Sequence, residues 1–148
     1  MCITAFAATA ENIEDFVNEM SKNDKVEIIT IKGNQILTND SVISVSDNRG
    51  LEKLKDMGIE SMEVLKFKIS KEQQDLYTNR LKDLEETNGY VKMMQINDKN
   101  SNIFIYFKSN EEIINVIYVV DNQKKEFSVV KIVGEIKKDD AKKFIPNV

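Results

Sequence analysis

The sequence predicts an α+β domain: an antiparallel sheet of five to six strands that ends in a C-terminal four-strand meander, with helices packed on the sheet. Three observations carry this. Apolar residues recur at helical spacing in the first half, at Ile13, Phe16, Val17 and Met20. Four runs rich in β-branched and aromatic residues fill the second half, over 90–96, 102–108, 113–120 and 126–136. The links between those runs are short and polar, which favours hairpins over crossovers.

Taken in order, residues 12–21 form an amphipathic helix whose polar face holds Glu14, Asp15 and Glu19. Residues 26–31 are β-branched and read as a strand, with Gly33-Asn34 as a turn. Ile36-Leu37 and Val42-Ile43-Ser44-Val45 indicate a short strand flanked by loops. Asp47 or Asn48 caps a brief helix carrying Leu51, Leu54 and Met57, which Gly58 ends. Residues 62–69 give a second clear strand. Ser70 and Gln73 make a capping box, opening a helix that runs to about Glu86 and turns Leu76, Tyr77, Leu81 and Leu84 inward. Asn88-Gly89 terminates it, and the meander follows. Gly134 in the last run marks a bulge or a close backbone approach. Asp139-Asp140 starts a final short helix with Ala141 and Phe144 inward, stopped by Pro146.

One domain suffices: a chain of 148 residues buries roughly two-thirds of its unfolded surface. Residues 1–10 carry no charge and place Ala8 and Ala10 around Thr9, the small-x-small pattern of a signal-peptidase site, so they read as the remnant of a secretory leader. Residues 11–148 are then the mature domain, exported and periplasmic or envelope-associated. Cys2 falls in the discarded leader. No apolar stretch is long enough to span a membrane once the chain is mature.

Absences narrow the chemistry. Histidine and tryptophan are missing and Cys2 is the sole cysteine. No ligand set exists for zinc, copper or non-haem iron, and Ser-His-Asp or Cys-His catalysis lacks its base. The net charge of −4 comes from mixed Lys and Glu, without the basic stripe a nucleic acid requires. No cofactor is implied, since five glycines form no phosphate-binding loop.

The order of features resembles the family of small exported proteins termed domain of unknown function 4252, from Bacteroides-type Gram-negative bacteria. The resemblance lies in the Ile13-to-Val17 helix, the passage to Met62-Glu63-Val64-Leu65-Lys66-Phe67, a polar helix ending at Asn88-Gly89-Tyr90, and a meander closing on Val130-Lys131-Ile132-Val133-Gly134-Glu135-Ile136. It covers nearly all of the mature chain, least well over 35–47. It implies an envelope location and carries no activity or site residues with it.

Asp98, Asn100 and Asn102 have the spacing of a calcium loop's first ligands, but Ile103 and Ser109 stand where that loop needs Gly and Glu. A polar hairpin turn accounts for the same residues. A carboxylate-based hydrolase needs two acids in one cleft, and the sequence singles out no pair. What stands out is that residues 103–107 and 116–120 do not alternate apolar with polar, so both sheet faces are covered. Helices on both sides, or a well-buried central strand pair, would explain it. Alternatively Phe104, Tyr106 and Tyr118 form a surface for a partner, a second copy or an apolar ligand. The expected function is non-catalytic: a protein-interaction module, with a binding module for an apolar small molecule, and after it a carboxylate-based hydrolase, as the alternatives.

Overall fold

The computed structural model describes the backbone of residues 11–44 and 49–142, and the side chains of all of these but 43, 44 and 49–51. The leader at 1–10, the cap at Asp47 or Asn48, and Phe144 with Pro146 lie outside the described residues. Asn12 opens helix α1 (Ile13–Met20) through a capping box with Asp15, which satisfies two amide groups that the first turn leaves without partners. Strand β1 (Glu27–Lys32) turns at Gly33, whose φ is +63°, into β2 (Gln35–Leu37), and β3 (Val42–Ser44) pairs with β2. Helix α2 (Arg49–Asp56) ends at Gly58 and leads into β4 (Ile59–Lys68), which begins three residues earlier than expected. Helix α3 (Lys71–Lys82) starts at the Ser70/Gln73 capping box. Strands β5 (Tyr90–Asn97), β6 (Ser101–Asn110), β7 (Ile113–Gln123) and β8 (Glu126–Lys137) make the meander, and α4 (Lys138–Ala141) follows.

The sheet is antiparallel throughout and runs β3-β2-β1-β4-β8-β7-β6-β5. Among the described residues its strands number eight, more than the expected five to six, and residues 35–44, where one short strand is expected, contribute two three-residue strands that are too short to show periodicity. Helix α3 is also shorter than the expected run to Glu86. Its inward stripe is Gln74, Tyr77 and Leu81, while Leu76, one step round from Tyr77, is 54% exposed. Helical geometry sets that stripe, spaced three and four apart.

Register assigns the faces. Leu65, Val129, Val120 and Phe104 oppose one another across β4, β8, β7 and β6, as do Phe67 and Phe127. They share the first face with α1 and α3, and Phe16, Tyr77 and Leu81 pack on them. A buried amide bridge reinforces this layer: Asn122 donates to the Gln74 carbonyl (2.9 Å) and to Thr78 Oγ1 (2.8 Å), and Gln74 donates to the Asn122 carbonyl (3.2 Å). Arg80 of α3 ties down α1, donating to Glu11 and Glu19 with its guanidinium 4.8 Å from the Phe16 ring centre. That hydrogen bond holds the Glu19 carboxyl below its ordinary range. Among the described residues no helix is long and apolar enough to cross a membrane.

Burial raises the phenol of all four tyrosines, Tyr77, Tyr90, Tyr106 and Tyr118, the last pushed up to about 12. A group raised on folding keeps its stabilising contribution below its unfolded value and gives it up as pH rises toward the folded one. Near pH 10, where an exposed tyrosine is half ionised, the folded chain should show little tyrosinate absorbance. At higher pH the absorbance should rise together with loss of circular dichroism. An early rise with structure intact would contradict this burial.

Candidate interaction surface on the second face of the sheet

The residues between those of the first face point the other way. One row crosses six strands by register: Ile29, Val64, Val130, Val119, Ile105 and Met94. Beside it runs a second row of Ile31, Met62, Ile132, Ile117, Phe107 and Val91. Both rows are wholly apolar. A further row borders them with Glu27, Lys66, Ser128 and Asp121, and becomes apolar again at Ile103 and Ile96. Lys66 and Glu27 are 3.6 Å apart in that border.

Among the described residues, cover on this face is confined to one end. Leu54 of α2, Met57 and Ala141 of α4 gather there with Ile59, Ile114, Ile117 and Ile136. Away from that end the rows are half-open: Val64, Val119, Val130, Met94, Ile103 and Phe107 are half-buried, and Val91 and Ile96 are exposed. A soluble sheet with one wet face normally alternates apolar with polar residues, and this one does not. An apolar patch of several strands, bordered by charge, is the usual mark of a contact surface.

Between α2 and the β1–β2 turn a cleft of about 770 Å³ opens on the same face. Ile31, Leu54, Ile59 and Met62 line it together with Lys32, Lys55, Glu52, Glu60 and Glu135. It is bordered by charge and open to solvent rather than enclosed in the core. All three of its carboxylates are exposed.

Phe104, Tyr106 and Tyr118 do lie on one face, but it is the first. Phe104 and Tyr118 have no exposed surface and Tyr106 almost none. The Tyr106 hydroxyl donates to the Leu81 carbonyl at 2.8 Å, fastening β6 to α3. Tyr118 stacks near Tyr90, whose hydroxyl donates to Glu14 at 2.6 Å. These three are therefore core. The half-open residues are their neighbours Ile103, Phe107 and Val119, while Ile105 between them is buried. Alternation within 103–107 separates the two sets, but only strand register and helix placement say which set is covered.

The Asp98–Asn102 segment is a hairpin link. The Lys99 amide donates to Asp98 Oδ1 at 2.6 Å, while Asn102 turns away and donates to Thr78 Oγ1 at 3.1 Å.

A family model described as Domain of unknown function (DUF4252) matches residues 20–144. No curated protein and no solved structure matches the chain.

Proposed function

The chain belongs to the DUF4252 family, and from that premise we propose that it is an exported, envelope-located protein that acts by contact and not by catalysis, presenting the second face of its sheet to a protein partner. The observation that carries this reading is the pair of apolar rows crossing six strands, which among the described residues have helical cover at one end only. Leaving one large apolar side chain in water forgoes roughly 2 kcal/mol, so the half-open and exposed members of these rows are costly unless something docks on them. Depletion of charge at the centre with charge at the border is the anatomy of an interface.

A photo-crosslinking residue placed at Phe107 should give discrete protein adducts in envelope preparations, and one placed at Leu76 on α3 should not. Val119→Lys, at the centre of the first row, should lower the Phe107 adduct yield about tenfold, the effect of a buried hot spot. Equal labelling from both positions, or yield indifferent to Val119→Lys, would remove the basis of this reading.

The cleft beside α2 favours a second reading, a small amphiphilic molecule seated on Ile31, Leu54, Ile59 and Met62, since its volume falls in the range of ligand sites. Native mass spectrometry of protein purified without detergent should then show a bound species that Met62→Glu displaces. A hydrolase built on the cleft acids would need one withdrawn from water, and Glu52, Glu60 and Glu135 are all exposed.

A further inference from the structure

Among the described residues the sheet ends in two unpaired edges, β3 and β5. Natural edges are blunted by shortness, charge or proline. Strand β3 has three residues and so is short, whereas β5 has eight, no proline, and a single charge at Lys92. Val91 and Ile96 on it are 41% and 45% exposed.

Pairing of β5 with β6 slips between Lys92 and Met94, which resets the alternation by one residue. Val91, Met94 and Ile96 therefore oppose Phe107, Ile105 and Ile103 on the second face. Tyr90, Lys92, Gln95 and Asn97 oppose Lys108, Tyr106, Phe104 and Asn102 on the first. Directly opposite residues in an antiparallel pair share a face. When β5 meets its own copy about a two-fold axis, the register that keeps faces matched over the most residues is centred between Met93 and Met94. There Val91 meets Ile96 of the second copy, Lys92 meets Gln95, and Tyr90 meets Asn97. Apolar meets apolar, the lone charge meets a neutral amide, and lysine never faces lysine.

We propose that β5 is a self-association edge: a second copy of this chain pairs with it antiparallel in the centred register. The match is isologous, as two-fold symmetry demands. The joined sheets carry the apolar rows of the second face across both copies and cover Val91 and Ile96. This pairing stands apart from whatever docks on that face, because it uses the strand edge.

Sedimentation equilibrium on the full chain, from low to high micromolar, tests it with two double variants. Val91 and Ile96 lie on one strand too far apart to meet within a chain, yet each faces the other's copy. The variant Val91→Lys with Ile96→Lys puts two pairs of like charges across the seam and should raise the dissociation constant about tenfold or more. Val91→Lys with Ile96→Glu puts two lysine–glutamate pairs there and should stay within about threefold of the parent. Both positions are exposed, and circular dichroism confirms that each variant folds. A parent chain that stays monomeric over the whole range overturns the proposal, as does a dimer that both variants disturb equally or neither disturbs. Crosslinks from Phe107 to another protein would be unaffected by any of these results, so the two proposals fail separately.

Discussion

Phe127→Ala should destabilise the protein by about 3–5 kcal/mol, the usual range for emptying a fully buried aromatic site. Phe127 has no exposed surface and sits where α1, α3, β4 and β8 meet. Its ring centre lies 5.9 Å from Phe16, 5.3 Å from Phe67 and 5.3 Å from Tyr77, in tilted and edge-on arrangements that add to simple burial. The three neighbours hang from three different elements, so none can close the cavity without shifting its helix or strand. Thermal unfolding should fall by roughly 10 °C or more at this chain length. Phe127→Leu fills most of the volume and should cost about 1 kcal/mol. A Phe127→Ala variant melting within 3 °C of the parent, a shift of about 1 kcal/mol, would show that this cluster is not packed as described.

Gly134→Ala should cost about 3 kcal/mol, at or above the upper end for overpacking, because the obstacle is backbone. A methyl group at 134 would lie 2.1 Å from the Gly58 carbonyl oxygen and 3.0 Å from the Glu60 nitrogen. The same approach viewed from the other strand puts a methyl at 58 only 2.0 Å from the Glu135 carbonyl oxygen, and Gly58 also has φ +88°. The Glu135 amide donates to the Gly58 carbonyl at 2.8 Å, so the two backbone segments cannot separate without losing that bond. Gly33→Ala provides the contrast, since nothing lies within 4 Å of its added methyl. With only its φ of +63° opposing the change, it should cost about 1 kcal/mol. Chemical denaturation of the three glycine variants should rank 33 well below 58 and 134. The 58/134 double variant should lose less than the sum of its singles, because both disrupt one contact. Additive losses would mean the two glycines act independently.

Much of this architecture was legible. The stripe at Ile13, Phe16, Val17 and Met20 and both capping boxes are local patterns, and the four late runs with short polar links are hairpin signals that β5 to β8 follow. Gly134 stood out because a glycine inside a strand has little reason to be there unless another backbone needs the space. What was not legible depends on distant pairing. Two three-residue strands at 35–44 hold too few residues for an alternation to show. Leu76 reads as core by hydropathy, and only the phase set by Tyr77 and Leu81 turns it outward. The two-faced apolar strands were visible, but the choice between Phe104, Tyr106 and Tyr118 and the intervening aliphatics rests on where α1 and α3 lie. The aromatics carry the most surface. For that same reason they belong under the helices, with the Tyr106 hydroxyl reaching the Leu81 carbonyl.

The strand order has a kinetic meaning. Strands β1 to β3 and β5 to β8 each zip with a neighbour in the chain, so their loop-closure cost is small. Two joins skip elements: β1 to β4, across β2, β3 and α2, and, over the longest span, β4 to β8, where Lys68 meets Glu126 and Ile59 meets Gly134 across the whole of α3 and the meander. Two ribbons must find each other at the second, and the high contact order of that seam is the expected bottleneck of folding. Val130→Ala, which loosens that seam, should slow refolding in stopped-flow traces, whereas Ile96→Ala at the outer ribbon should mainly hasten unfolding.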